Sequence, residues 1–266
     1  MTALNGTRGG RTRRTRRKRH ARRKQRTHRK QQFGGADEVL YFYEAYDPTG
    51  FLTNFYVNGI KDQSREGVPL DTTGMVPFMY KPSTCKDDKF VGIPFANSEQ
   101  AFCYEKALFF DPTMSVECVQ LLKKIVETSD PNIIKEIGSA DGHNDGNRIW
   151  KIVITIEGDI WGKWAKVSRG IMKDILMAKF TPVGKNDAML RMLKETGKSY
   201  LAEEYDMNWG IGYGEAEAEQ LRRAHPEQID ARGYPFWEKA NRDGKIVKCT
   251  NNLGEVLMEI RDELSL

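Results

Sequence analysis

Acidic residues are missing from the first 36 positions of the 266-residue chain; the first is Asp37. Cysteine is scarce. Cys85, Cys103, Cys118 and Cys249 form no CxxC pair, which argues against a zinc ribbon and a dithiol redox centre. No apolar run approaches the roughly 18 residues of a membrane-crossing helix. The N-terminus lacks the apolar stretch of a secretory signal, so free thiols in a reduced, intracellular compartment are expected. No strand–helix–strand alternation or internal repeat is visible, which argues against a Rossmann sheet and a solenoid.

What is present falls into two parts of opposite charge. Between Arg8 and Lys30 lie 14 Lys and Arg, leaving 28 against 37 Asp and Glu elsewhere, so a net charge of +5 conceals a body near −9. Residues 1–36 have almost nothing apolar with which to offset ordering entropy, and like charges keep them extended. We read them as a disordered arm, joined through Gly34-Gly35 to a body spanning 37–266. Arginine dominates the arm, which suits phosphate contact through counterion release. A nuclear import signal fits the same residues, as does a solubilising tail. No aromatic residue precedes Phe33, so the arm offers no base stacking.

With 39% hydrophobic residues overall, the body can build a core. Val39–Tyr46 reads as a strand, Asp47–Gly50 as a turn and Phe51–Phe55 as a second extended piece. Residues 58–92 are Gly- and Pro-rich, an irregular insertion or hairpin. Asn97 and Gln100 have capping-box spacing before a helix through Ala101–Phe110. Further helices are expected over Thr113–Glu127, from Asp130-Pro131 onward, and over Trp164–Phe180, Asp187–Thr196, Gly214–Ala224 and Asn251–Leu264. Tyr200–Ala202 reads as a short strand. Ser139–Asn147 reads as a polar loop without the acidic spacing of a calcium site, and 225–248 as irregular. The fold class is therefore α+β, predominantly helical, with a small sheet.

Two groups of residues could carry chemistry. Glu99 and Lys106 are two helical turns apart, hence on one face, with Phe102 and Cys103 between them. A carboxylate and an amine beside apolar side chains suit proton transfer and nucleophilic attack; an ordinary surface pair has the same spacing. Asp206-Met207-Asn208-Trp209-Gly210-Ile211-Gly212-Tyr213-Gly214 is a Gly-rich loop in which Trp209 could stack on a planar ring and Asp206 could hold a ribose hydroxyl. It is not a dinucleotide fingerprint, and a tight structural loop remains open. Trp161 and Trp164 could wall a ligand or fill the core.

Together these segments resemble the NADAR (NAD and ADP-ribose associated) superfamily, which includes the YbiA-like N-glycosidases. The blocks that carry the resemblance are FYEAYDPTGFLTNF (42–55), FANSEQAFCYEKALFF (95–110), WAKVSRGIMKDILMAKF (164–180), LRMLKETGKSYLAEEYDMNWGIG (190–212) and NNLGEVLMEIRDEL (251–264), in family order. The stretches near 58–92, 138–160 and 214–248 would be insertions in a single domain. The resemblance implies cleavage of an N-glycosidic bond at ribose C1, with Glu99, Lys106 and Asp206 as catalytic residues and Trp164, Trp209, Gly210 and Asn252 about the substrate. Arg169 is added as a phosphate contact. No metal or organic cofactor is implied. Gln100 replaces the family histidine. Substrates compatible with the motifs are ADP-ribosylated guanine in nucleic acid, a ribosylated pyrimidine phosphate of riboflavin synthesis, and NAD; a non-catalytic ADP-ribose-binding module is the alternative. The basic arm favours nucleic acid or an import receptor as partner, with a nuclear or nucleic-acid-associated location, and no membrane role is expected.

Overall fold

The computed structural model describes residues 38–60, 63, 70–71, 73–87, 89–139, 141–152, 159–181 and 187–265. The basic arm lies outside the described residues, as do most of 61–69, residues 153–158 and residues 182–186. The described residues belong to one compact unit.

Among the described residues there are seven α-helices and eight short strands. Strand β1 (Val39–Phe42) pairs in parallel with β6 (Tyr200–Glu203), Val39 opposite Tyr200 and Phe42 opposite Glu203. This ladder joins the start of the domain to its last third. The expected small sheet is otherwise divided into three antiparallel hairpins, β2 (Phe78–Tyr80) with β3 (Ile93–Phe95), β4 (His143–Asp145) with β5 (Arg148–Trp150), and β7 (Glu238–Ala240) with β8 (Ile246–Lys248).

Helix α1 (Ser98–Phe110) is central, packing against α2 (Val116–Glu127), α3 (Pro131–Ile137) and α4 (Ile160–Phe180). Its ends follow the sequence signals. Asn97 accepts the Gln100 N–H at 2.9 Å, and the chain leaves the helix at Asp111. The other half of the capping box is displaced by one residue, since Gln100 accepts from the Ala96 N–H. Asp130 caps α3, with Pro131 in its first turn. After α5 (Asp187–Glu195) and α6 (Glu215–Ala224) comes α7 (Asn252–Glu263). It buries Leu253, Val256, Leu257 and Ile260 against β6 and α4, each worth about 1.5–3 kcal/mol relative to exposure.

Several sequence expectations need correction. Strand β1 stops at Phe42, before the turn residues, rather than running to Tyr46. Gly50–Leu52 is a single 3-10 turn and not extended, because Leu52 and Thr53 N–H groups bond back to Thr49 and Gly50. Gly50 is required there: a Cβ would lie 2.2 Å from the Ala45 carbonyl oxygen. Helix α2 starts at Val116 and not Thr113, because Asp111 binds both Thr113 and Ser115, and Ser115 then serves as the cap. Within 139–147 a hairpin turns at Gly146, whose φ is +66°. Within 225–248 another hairpin turns at Gly244, with φ +74°. Both have three-residue strands that are mostly exposed, so no burial imposes an alternating pattern.

Candidate active site

Glu99, Phe102 and Lys106 are half-buried on one face of α1. The turn at residues 53–55 fixes the start of this face, because the Asn54 carbonyl accepts the Glu99 N–H at 3.1 Å. Three polar atoms beside that junction, Thr53 Oγ1, Asn54 Oδ1 and Ser98 Oγ, are buried without a hydrogen-bond partner. Burial pushes the Glu99 carboxyl up, while the positive charges of Lys135 and Lys106 pull it back.

Lys106 is held from two sides. Its Nζ donates to the Gly138 carbonyl at 2.9 Å and stands 4.8 Å from the centre of the Trp161 ring. Burial lowers its pKa, opposed by Cys103 and Glu99. Gly138 is pressed against α1, where a Cβ would come 2.7 Å from Cys103 Sγ. The end of α3 thereby sets the height of Lys106 above the helix. From the same helix, Lys135 lies over the Phe55 ring at 5.4 Å, and its positive charge acts on Glu99.

The opposite side comes from β6 and the loop after it. Asp206 Oδ1 accepts the N–H groups of Asn208 and Trp209 at 2.7 and 2.6 Å, folding the loop on itself. The loop is then laced to the segment preceding α7: the Thr250, Asn251 and Leu253 N–H groups bond to Met207, Gly210 and Trp209 carbonyls. Asn252 Nδ2 adds a bond to the Asn208 carbonyl at 2.9 Å. Gly210 is held against β6, where a Cβ would meet the Glu203 carbonyl oxygen at 2.4 Å. These restraints bring the Trp209 ring edge-on to Phe102, 5.4 Å between centres.

The structure thus brings Glu99, Lys106 and the Asp206–Gly210 loop to one region, with Asn252 as a loop fastener. Trp164 is buried at 7% exposure among Phe102, Phe109 and Phe110, behind the surface that Phe102 and Trp209 present. Trp161, at 45% exposure, is the indole that reaches Lys106. Arg169 pairs with Glu259 and lies 3.8 Å from Glu255, so its charge is engaged across the α4–α7 seam. Gln100 points away from Glu99. Its Nε2 lies within 3.0 Å of the Ile125, Val126 and Thr128 carbonyls at the end of α2.

Sequence reasoning missed Lys135 and Glu203. Glu203 ends β6 after three buried residues, and its side-chain Oε2 is buried without a hydrogen-bond partner. Burial, Asp206 and Glu99 push its pKa up to about 8, against the pull of Lys135. The available signal was a carboxylate closing an otherwise apolar strand. An open hollow of about 390 Å³ beside α5, lined by Leu190, Arg191, Lys194 and Glu195, contains none of these residues. Among the described residues no three His, Cys, Asp or Glu cluster as metal ligands, and no helix is long and apolar enough to cross a membrane.

Fold and site together define a mostly helical α+β domain whose carboxylate, amine and indole groups converge from α1, α3, α4 and the loop after β6. Residues 41–265 match the family model described as the NADAR domain, and the chain belongs to that family. A solution structure of the E. coli protein YbiA is 21% identical, with a TM-score of 0.45 over 89% of this chain and 90% of that one. No curated protein matches the chain.

Proposed function

We propose that this protein is an N-glycosidase that releases ADP-ribose from a modified nucleobase, guanine foremost, in nucleic acid. Membership of the NADAR family, which is associated with glycosidase chemistry, supports the reaction class. The observation that carries the residue assignment is the convergence of Glu99 and Lys106, electrostatically coupled on one face of α1, with the Trp209 loop.

Breaking a C1–N bond leaves positive charge on the ribose ring. Glu99 stabilises that charge as a carboxylate and takes the proton of incoming water. Lys106 is placed either to add to C1 as a neutral amine, which its burial favours, or to hold phosphate as a cation. Phe102 and Trp209, packed edge to face, form one aromatic wall for the ring of the base, while Asp206 keeps the Trp209 loop in shape and offers its exposed edge to a ribose hydroxyl. Gln100 holds the end of α2, so its replacement of the family histidine falls on a packing contact rather than on the face bearing Glu99.

The basic arm supports nucleic acid over a small metabolite. Fourteen cations raise the local concentration of an enzyme on a polyanion and do little for a ribosylated pyrimidine. The experiment is release of free ADP-ribose from guanine-ADP-ribosylated single-stranded DNA. Glu99→Gln is expected to lower kcat by about 10²–10⁴-fold. Borohydride trapping of ribose on the wild type but not on Lys106→Ala would assign the amine role; no trapping leaves Lys106 as the phosphate contact. Cleavage of the ribosylated pyrimidine phosphate alone would move the substrate to the small-molecule class. Binding of ADP-ribose without turnover on either would overturn the enzyme reading.

A further inference from the structure

We propose that Glu203, whose backbone is packed against the Trp209 loop, is the proton donor to the departing base and a second carboxyl of the site; this rests on the N-glycosidase reading. The backbone of Glu203 is pinned at both polar groups. Its N–H donates to Asn251 Oδ1 at 3.2 Å, and its carbonyl accepts the Ile211 N–H at 2.8 Å with Gly210 packed against it. Asn251 is itself buried in a left-handed conformation, φ +44°, and is fastened to Tyr200 and Leu201. This framework delivers a carboxyl whose Oε2 has neither solvent nor a partner. Leaving such a group unpaired costs stability, so its presence calls for a reason beyond folding.

The groups that act on the carboxyl come from each surrounding element. They are Glu99 on α1, Lys135 on α3 and Asp206 in the loop; Tyr43, just past β1, feels the Glu203 charge in turn. Two carboxylates therefore oppose its ionisation and one ammonium favours it. Burial raises Glu99 as well, but the charges that act on it, Lys135 and Lys106, both favour its ionised form. Paired carboxyl groups in such unequal surroundings divide the labour into one acid and one base.

In the step, the bond from ribose C1 to the base nitrogen breaks and both its electrons pass to that nitrogen, which takes the Glu203 proton. Water adds to C1 and gives a proton to the Glu99 carboxylate. The sum is one water divided across the C1–N bond, and return of a proton from Glu99 to Glu203 through solvent restores the site. Nothing is oxidised or reduced.

The test pairs two readouts on the full-length protein. Infrared difference spectra are expected to show a protonated-carboxyl band at pH 7 that titrates near pH 8 and is missing in Glu203→Gln; its absence from the wild type overturns the assignment whatever the substrate proves to be. On guanine-ADP-ribosylated DNA, Glu203→Gln is expected to lose about 10²–10⁴-fold in kcat with little change in KM, and to lose the alkaline limb of the pH profile. Glu203→Asp is expected to recover part of the rate. NAD carries the same ADP-ribosyl group on nicotinamide, which leaves without needing a proton, so any wild-type cleavage of NAD is expected to survive Glu203→Gln within a few-fold. Wild-type turnover on DNA with an unchanged alkaline limb in Glu203→Gln, or equal losses on DNA and NAD, overturns the donor role alone. A carboxyl band with no turnover on any ribosylated substrate overturns the hydrolase reading and the donor role together.

Discussion

At the scale of single residues, burial without compensation separates groups that a sequence treats alike. Glu203 and Lys179 are both ionisable; Lys179 is buried and Glu203 half-buried with Oε2 out of water, with opposite consequences for stability. Burial, Asp206 and Glu99 raise Glu203 to about 8, so between the ordinary glutamate range and pH 8 the folded state holds a proton that the unfolded state has lost. Its contribution to stability therefore falls as pH rises through that window. Lys179 donates to the Thr53 carbonyl at 3.0 Å and the Phe51 carbonyl at 3.4 Å, and burial lowers it to about 7. Between pH 7 and the ordinary lysine range the unfolded state binds the extra proton, so stability there rises with pH. Chemical denaturation of the wild type, Glu203→Gln and Lys179→Met across pH 5–10 checks both signs. The first variant is expected to flatten the fall toward pH 8 and the second the rise above pH 7. Lys179→Met is also expected to cost about 1–3 kcal/mol at pH 7, for the carbonyls left without their donor.

At the scale of elements, the site depends on joints between segments distant in sequence. Glu105, next to Lys106 but on the far side of α1, accepts from the Tyr80 hydroxyl, the Ser83 N–H and the Ser83 hydroxyl at 2.7–2.8 Å. It thereby ties the chain after β2 to α1. Glu105→Gln is expected to destabilise the fold by about 1.5–3 kcal/mol, because the hydrogen bonds lose their charged acceptor; a thermal melt checks this. Gly210→Ala is expected to cost about 1–3 kcal/mol, since its Cβ would strike the Glu203 carbonyl oxygen at 2.4 Å. It is also expected to lower turnover by displacing Trp209 and Glu203 together, with the far-ultraviolet spectrum unchanged.

The elements also show what can be read from sequence and what cannot. Helix α1 was legible because Asn97 and Asp111 mark its ends chemically, and α4 because its apolar residues recur at helical spacing. Glu99 and Lys106 were legible because two turns of one helix fix their common face. The hairpins at 143–150 and 238–248 were not, since three-residue exposed strands carry no burial pattern. Glu203 was hidden because its counterpart, Glu99, lies on another element more than a hundred residues earlier, and only the parallel pairing of β1 with β6 and the packing of the loop bring the two near. Lys135 was hidden because it lies on a short helix separate in sequence from Glu99, and nothing in the spacing shows that the two come near.

At the scale of the molecule, a basic arm is joined to an acidic body. If the arm serves to hold the enzyme on nucleic acid, its removal leaves the site intact and changes the response to salt. A protein beginning at Gly34 is expected to keep its kcat on a single ADP-ribosylated nucleoside, to bind DNA more weakly at low salt, and to show a shallower fall of affinity with salt concentration. Fluorescence anisotropy across a salt series checks this, and equal slopes with and without the arm would contradict the tether.

The most direct test of the central claim is one measurement, free ADP-ribose released from guanine-ADP-ribosylated single-stranded DNA by the wild type and by Glu99→Gln. The structure-based account predicts multiple turnovers by the wild type and a loss of about 10²–10⁴-fold in kcat for the variant, with its melting temperature retained. Equal release by both proteins would contradict the role given to Glu99, and no release by either would contradict the substrate.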